Sequence, residues 1–288
     1  MITLPASANN PEIPSDYLRT YGLEFFAADH CVFKCFGCSQ CSPYLDAKFA
    51  AAALFEKSIK ILERYLRPER LTILGGEPLL HPEINDIISI AKKSGMFNRI
   101  FITTNASNLD KMTQTFWDYI DVLTISKYST NAGWLEGNLD WISKKCEANR
   151  VELEIRPMDN FNYIVLSEKN SRADLVKEIY DKCIYKHYCH TLSEGKLFRC
   201  SPVVNFKKYQ QKLGNNRFDD EGDYLPIQDH PGLKTEIFRY LDSKTPLKGC
   251  SYCLGSSGKP FTQRQLTADE LKNPVRTKIS EINYDNYR

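Results

Sequence analysis

Short apolar runs alternate with amphipathic stretches from about residue 23 to about residue 155. The apolar runs are rich in β-branched and aromatic residues and predict five strands: Leu23–Ala27, Leu71–Leu74, Arg99–Thr103, Asp121–Ser126 and Val151–Ile155. The stretches between them repeat apolar residues at helical spacing and predict four helices: Ala47–Leu66, Pro82–Gly95, Leu109–Tyr119 and Trp134–Asn149. This alternation predicts a parallel α/β sheet with right-handed crossovers, either doubly wound or curved into a barrel.

The fifth predicted strand differs from the others. In Val151–Ile155 the apolar residues alternate with Glu152 and Glu154, which is typical of an edge strand with one wetted face. We therefore expect the sheet to stop near this strand. An open, partial βα barrel is predicted rather than a closed one of eight strands.

The pattern changes after residue 165. One further helix is predicted over Arg172–Asp181, and a short hairpin is predicted to turn at Glu194 and Gly195. The remainder is rich in loops. We predict two domains, a partial barrel over residues 1–165 and a smaller C-terminal domain over residues 166–288.

The composition is that of an ordinary globular protein, with 42% hydrophobic and 26% charged residues. No apolar run approaches the roughly 20 residues that cross a bilayer. Residues 1–20 have neither a basic start nor an apolar centre, so we predict no secretory signal and a cytoplasmic protein. Because cytoplasmic thiols stay reduced, the ten cysteines favour metal binding over disulfides.

The charges argue against a nucleic-acid partner. The net charge is +2, from 38 basic and 36 acidic residues that are interspersed along the chain. Nucleic-acid-binding proteins usually concentrate basic residues on one face. The nearest such segment here, residues 205–212, is short.

Four cysteines are crowded into the twelve residues "HCVFKCFGCSQC", which directly follow the first predicted strand. Three of them, Cys31, Cys35 and Cys38, lie at the carboxyl end of that strand, where parallel α/β sheets place their active sites. Zinc ligands usually come in fours. Three thiolates in eight residues fit a 4Fe–4S cluster with one iron left open, although a structural metal site stays an alternative on these residues alone.

This segment, with Phe36 after its second cysteine, resembles the cluster loop of radical S-adenosylmethionine (SAM) enzymes. The stretch "GGEPLLHP" after the second strand resembles a second motif of that family, with Gly75, Gly76, Glu77 and Pro78. The resemblance implies a 4Fe–4S cluster whose open iron is chelated by the amino and carboxylate groups of SAM. It also implies that the glycine-rich backbone approaches that amino group, with no Cβ in the way.

Other positions match the family's SAM contacts by their place after predicted strands. Thr104 and Asn105 follow the third strand, Ser126 ends the fourth, and Arg156 follows the fifth. The resemblance implies that these residues contact the ribose or the carboxylate of SAM. The family's glycine-rich adenine motif is not visible near the fifth strand.

A second group of cysteines lies in the C-terminal part: Cys183, Cys189, Cys200, Cys250 and Cys253. Their arrangement resembles the auxiliary-cluster region called SPASM in its long form and twitch in its short form. No cysteine follows Cys253, so the resemblance implies one auxiliary 4Fe–4S cluster and favours the twitch form. A structural zinc ion on the same thiols is the alternative.

Five cysteines compete for four iron positions. Spacing in the short twitch enzymes favours Cys183, Cys200, Cys250 and Cys253, whereas longer relatives use cysteines spaced like Cys183 and Cys189 together. A spare Cys189 near the substrate would be a candidate hydrogen-atom donor.

The resemblance implies a 5′-deoxyadenosyl radical that abstracts a hydrogen atom, with flavodoxin or ferredoxin as external electron donor. The expected substrate is a small polar molecule, similar to a sugar or an aminocyclitol, that is oxidised or epimerised. Modification of a ribosomally made peptide is the alternative, disfavoured because 30 residues before Cys31 are few for a leader-binding module. A non-catalytic iron–sulfur or zinc protein that binds a partner is the third hypothesis.

Overall fold

The computed structural model describes residues 17–287. The strands, in chain order, are β1 (Leu18–Ala28), β2 (Leu66–Gly75), β3 (Arg99–Thr104), β4 (Val122–Lys127), β5 (Glu152–Pro157), β6 (Asn160–Asn162), β7 (Thr191–Ser193), β8 (Lys196–Phe198), β9 (Tyr224–Pro226) and β10 (Pro260–Thr262). The helices are α1 (Ala52–Leu62), α2 (Ile84–Ser94), α3 (Gln114–Tyr119), α4 (Ala132–Asn149), α5 (Ala173–Lys182), α6 (Tyr185–Tyr188), α7 (Phe206–Lys212), α8 (Leu233–Asp242) and α9 (Ala268–Lys272).

Eight strands form one mixed sheet in the order β5-β4-β3-β2-β1-β7-β8-β9. Strands β1 to β5 are all parallel to their neighbours, as the alternation of strands and helices predicted. The prediction that β5 is an edge strand is also confirmed. The fold class is therefore α/β, with a sheet that is largely parallel.

The main hydrophobic core lies between the sheet and its helices. Leu23 and Phe25 of β1 and Ile73 of β2 pack there with Phe55 of α1 and Ile87 of α2, and all five are nearly inaccessible to solvent. Burying one such side chain contributes about 1.5–3 kcal/mol. Because side chains alternate along a strand, the neighbouring residues point to the opposite face of the sheet.

On strands β4 and β5 that opposite face carries polar groups. On β4 and β5 the Thr124 hydroxyl donates a hydrogen bond to the Glu154 carboxylate at 2.9 Å. Arg156 also binds Glu154, and both charged side chains remain partly exposed. This polar face leads to the carboxyl ends of the strands, where the candidate site lies.

The C-terminal part of the chain extends the same sheet. Strand β7 pairs in parallel with β1, and β8 and β9 add in antiparallel fashion. The β7–β8 hairpin turns at Glu194 and Gly195, both with positive φ, as the sequence predicted. The sheet therefore ends at β5, as predicted, but continues beyond β1 through β7, β8 and β9. This continuation was not predicted from the sequence. The division at residue 165 stays a prediction.

Two smaller apolar clusters support the C-terminal region. One is formed by Leu166, Leu175, Ile179, Leu254 and Ile282, and the other by Phe198, Val203, Phe206, Phe218 and Leu247. Within residues 17–287, no helix is long and apolar enough to cross a membrane. The residues used to predict the absence of a secretory signal lie largely outside this range.

Candidate active site

A cavity of about 390 Å³ lies at the carboxyl ends of the parallel strands. Its walls include residues from the loop after β1 and from the ends of β2, β3 and β4. The sequence-predicted residues that line it are Cys31, Cys35, Cys38, Gly75, Gly76, Thr104, Asn105 and Ser126. The structure thus brings the three cysteines of residues 30–41, the cysteine loop, together with the glycine pair.

The two glycines allow the second motif to pack closely against the backbone that precedes the cysteine loop. A Cβ on Gly76 would lie 2.0 Å from the His30 carbonyl oxygen, and one on Gly75 would lie 2.5 Å from the Ala28 carbonyl oxygen. Gly75 also has a φ of 151°. The Cβ directions therefore meet the backbone that leads into the cysteine loop, so the absence of a Cβ allows close packing there. Approach of the amino group of SAM to the same backbone stays a prediction.

The Glu77 carboxylate ties the second motif to the end of β3. It accepts hydrogen bonds from the Leu79 N–H at 2.9 Å, the Thr104 hydroxyl at 2.6 Å and the Asn105 N–H at 2.8 Å. Burial raises the pKa of Glu77 to about 7, against the opposing effect of these donors. Glu77 holds the cavity wall in place without lining it.

Side-chain amides approach two of the cysteine sulfurs. The Nδ2 of Asn105 lies 3.3 Å from the Cys31 Sγ, and the Nε2 of Gln265 lies 3.4 Å from the Cys35 Sγ. The backbone N–H of Phe33 also donates to the Cys31 sulfur at 3.3 Å. Hydrogen bonds to sulfur are among the devices by which proteins tune iron–sulfur clusters.

The cavity environment disfavours isolated thiolates. Burial, aided by the charge of Glu77, raises the pKa of Cys31 to about 12, and burial raises that of Cys35 to about 11. Burial raises the pKa of Cys38 as well. Thiolates become stable here only when a bound cation offsets the loss of solvation, as cluster irons do. The donor set therefore fits an iron–sulfur cluster.

Four sequence-predicted residues lie away from the cavity wall: Phe36, Glu77, Pro78 and Arg156. The Phe36 ring packs against Phe261, with ring centroids 5.1 Å apart. Pro78 is buried at the start of a 3-10 turn, Pro78–Leu80. Arg156 pairs with Glu154 on β5. Direct contact of these four residues with SAM stays a prediction.

The sequence analysis missed several lining residues. These are Phe33, Gly37, Ser39, Gln40, Ser42, Leu74, Thr103, Tyr128, Met158, Asn160, Phe161, Asn162, Ile164 and Tyr185. Some could have been found, because Ser39 and Gln40 lie inside the cysteine loop and Tyr128 follows β4. Strand β6, with Asn160 and Asn162, carries no sequence signal that would have indicated its position.

The second group of cysteines surrounds a separate small cavity of about 30 Å³. Four of its cysteines line that space: Cys183, Cys200, Cys250 and Cys253. Cys189 does not; its thiol lies beside the Glu24 carboxyl group on β1 and interacts with it. Burial raises the pKa of Cys250 to about 12 and also raises those of Cys200 and Cys253.

One side chain lines both cavities. Tyr185, at the start of α6, contributes to the wall of the large cavity and to that of the small one. Burial, followed by the nearby charges of Cys189 and Cys183, raises the pKa of Tyr185 to about 12. The phenol therefore stays neutral and can donate a hydrogen bond.

Within the described part of the chain, no three histidine, cysteine, aspartate or glutamate side chains converge closely enough to hold one metal ion. A zinc site needs sulfurs about 2.3 Å from a single centre. A 4Fe–4S cluster binds each cysteine at a separate iron, so its ligand sulfurs are farther apart. In the described residues, the thiols therefore do not form a preassembled single-ion site.

Part of the sequence matches a known family. The model of a 4Fe-4S single cluster domain matches residues 22–141, less than half of the chain and the part that contains the cysteine loop. This match indicates a 4Fe–4S domain over those residues. Among curated proteins, none matches the chain in sequence.

Several solved structures are similar. BtrN in complex with AdoMet and 2-DOIA shares 16% identity, with 84% of this chain and 95% of that chain covered and a TM-score of 0.52. The structure of anSMEcpe with bound AdoMet and Cp18Cys peptide shares 12% identity, with 81% of this chain and 94% of that chain covered and a TM-score of 0.44. SuiB of Streptococcus suis shares 14% identity, with 81% of this chain and 67% of that chain covered and a TM-score of 0.36. The likeness to BtrN shows a shared fold.

Proposed function

We propose that this protein is a radical SAM enzyme that oxidises a small polar molecule, with epimerisation as the other outcome of the same hydrogen abstraction. One observation carries the proposal. Three cysteines of one loop line a cavity together with Gly75 and Gly76, which belong to the second motif. A purely structural metal site, as in the non-catalytic hypothesis, needs no such ligand cavity.

The residues can be assigned roles around a cluster and SAM. A cluster with SAM bound would supply the radical chemistry that removes a hydrogen atom from the substrate. Cys31, Cys35 and Cys38 would hold three of the cluster irons. The Gly75–Gly76 backbone would accept the amino group of SAM.

Three polar residues complete this cofactor site. Thr104, Asn105 and Ser126 line the cavity and would contact the carboxylate or ribose of SAM. Two of them are fixed by Glu77, which accepts hydrogen bonds from the Thr104 hydroxyl and the Asn105 N–H. Preorganised groups of this kind orient a cofactor without paying an ordering cost on binding.

We assign an auxiliary 4Fe–4S cluster of the twitch type to Cys183, Cys200, Cys250 and Cys253. Support comes from the small cavity that these four thiols line and from Tyr185, which lies between that cavity and the large one. A cluster there would supply an electron acceptor close to the large cavity, which would suit oxidation. The assigned C-terminal domain, residues 166–288, would then carry this acceptor.

The position of Cys189 also favours oxidation. A hydrogen-atom donor must reach the substrate radical, but Cys189 lies outside the lining of the large cavity and pairs with Glu24. Burial raises the pKa of Glu24 to about 7, so its carboxyl group can exchange a proton near neutral pH. Epimerisation through Cys189 would need this pair to open.

The substrate class is inferred from the size and lining of the cavity. The cavity of about 390 Å³ would have to hold the cluster and SAM as well as the substrate, which favours a small substrate. Its polar wall includes Asn160 and Asn162, which suit a molecule with hydroxyl or amino groups. BtrN, which shares this fold, binds 2-DOIA together with AdoMet. We therefore propose a sugar-like or aminocyclitol-like substrate for a cytoplasmic enzyme that is reduced by flavodoxin or ferredoxin.

The test is anaerobic reconstitution followed by incubation with SAM and dithionite. Release of 5′-deoxyadenosine that is lost in the Cys35→Ala variant would support the proposal. A panel of deuterated aminocyclitols, sugars and peptides should then show transfer of deuterium into 5′-deoxyadenosine from a small polar compound. Transfer from a peptide alone would favour the peptide maturase, and bound zinc without iron would exclude a radical SAM enzyme.

A further inference from the structure

The cysteine loop contacts a segment from the C-terminal part of the chain. Residues 260–266, which we call the C-terminal strap, follow the last cysteine and lie along residues 34–37. The Lys34 carbonyl accepts a hydrogen bond from the Leu266 N–H at 2.6 Å, and the Arg264 carbonyl accepts one from the Phe36 N–H at 2.9 Å. Cys35 and Gln265 form an antiparallel bridge.

Side chains of the strap complete this contact. The Arg264 guanidinium lies over the Phe36 ring, 4.2 Å from its centroid. The Phe261 ring leaves no room for a Cβ on Gly37, because such an atom would lie 2.3 Å from its Cζ. Strand β10, the first part of the strap, pairs with β6 in the cavity wall. The strap therefore joins the cavity wall to the loop that carries the three cysteines.

Gln265 uses both ends of its amide in this contact. Its Oε1 accepts a hydrogen bond from the Lys34 N–H at 2.7 Å, which fixes the side-chain orientation. Its Nε2 is thereby directed at the Cys35 sulfur, 3.4 Å away. The strap thus places an amide donor beside one cysteine of the proposed cluster.

We propose that Gln265 is a positioning residue that sets the reduction potential of the SAM-binding cluster through its N–H···S contact with Cys35. The inference rests on the proposed function, because it needs a cluster on Cys31, Cys35 and Cys38. Reduction adds negative charge to the cluster and its thiolates. A donor to sulfur interacts more strongly with the reduced state and raises the potential.

The direct test is the potential of that cluster, measured by electron paramagnetic resonance during an anaerobic redox titration. The Gln265→Met variant keeps the length of the side chain but has no donor. We expect the equilibrium constant for one-electron reduction to fall about tenfold, which equals a decrease of about 59 mV. The Gln265→Glu variant keeps an acceptor for Lys34 and should shift the potential in the same direction.

Thr267→Ala is the matched control. It removes the capping box that begins α9, next to the strap, but no group that contacts Cys35. Its potential should equal that of the unmodified protein. An unchanged potential in Gln265→Met, with the cluster intact, would overturn the inference, and so would an equal decrease in Thr267→Ala.

Loss of the cluster in a variant calls for a second measurement. If Gln265→Met loses the cluster, Gln265→Glu is measured instead. If both variants lose it, the unmodified protein with ¹⁵N-labelled glutamine side chains is measured by pulsed paramagnetic resonance, and absence of ¹⁵N coupling overturns the inference. If the unmodified protein holds no cluster at all, the proposed function fails, and that outcome is distinct from an unshifted potential.

Discussion

Replacement of single cysteines should separate the auxiliary-cluster ligands from the spare thiol. Cys183, Cys200, Cys250 and Cys253 line one small cavity, whereas Cys189 pairs with Glu24. Two 4Fe–4S clusters give about eight irons per chain after anaerobic reconstitution. We expect Cys200→Ala to retain about four irons, because the auxiliary cluster loses one of its four protein ligands and, unlike the SAM-binding cluster, has no cofactor to take the open position. Cys189→Ala should retain about eight.

The Cys189→Ala variant should also cost little stability. It removes one polar contact with Glu24, which is worth at most about 1 kcal/mol, while Thr191 still donates to the same carboxylate at 3.2 Å. The assay is iron and sulfide analysis with absorption spectra of the reconstituted proteins. Cys41→Ala and Cys146→Ala are matched controls, since both thiols are buried and neither lines the small cavity. About four irons in Cys189→Ala, or about eight in Cys200→Ala, would refute this reasoning.

Three other predictions follow from the same geometry. Cys31→Ala should keep only the auxiliary cluster, about four irons by chemical analysis, and should release no 5′-deoxyadenosine; release at the unmodified rate would contradict the assignment. Glu77→Gln should turn an amide towards at least one of three buried donors and destabilise the protein by about 2 kcal/mol, or about 4 °C in an anaerobic thermal scan. An unchanged midpoint would show that Glu77 does not anchor the second motif. Because the folded pKa of Glu24 is raised from 4.5 to about 7, its contribution to stability is complete below pH 4.5 and is lost as the pH rises through 7. Between pH 6 and pH 7 the free energy of unfolding of the unmodified protein should fall by about 1 kcal/mol relative to that of Glu24→Gln. If the thermal midpoints of the two proteins change equally with pH, the raised pKa is contradicted.

The parallel half of the fold was predictable because each strand and helix carries its own periodicity. The predicted helix boundaries are wrong where tertiary contacts override this periodicity. The predicted helix Ala47–Leu66 is confined to α1, since Phe49 and Ala50 instead pair with the end of β1. The predicted helix Leu109–Tyr119 is divided into a 3-10 turn, Leu109–Lys111, and α3.

Short segments with long-range partners were not predictable. Strands β6 and β10 have three residues each and pair across about a hundred positions of sequence. Nothing in the periodicity indicates that the strap lies on the cysteine loop. Spacing indicated the cysteines of both sites, but only the fold shows that Cys189 lies beside Glu24 rather than in the small cavity.

The central claim is that the cluster on Cys31, Cys35 and Cys38 keeps one iron free of protein ligands for SAM. Pulsed paramagnetic resonance of the reduced cluster with SAM ¹⁵N-labelled at its amino group measures this directly. We predict a clear ¹⁵N coupling that disappears when the label is omitted. Absence of that coupling in a fully reconstituted protein, with all four irons bound by side chains, would contradict the account.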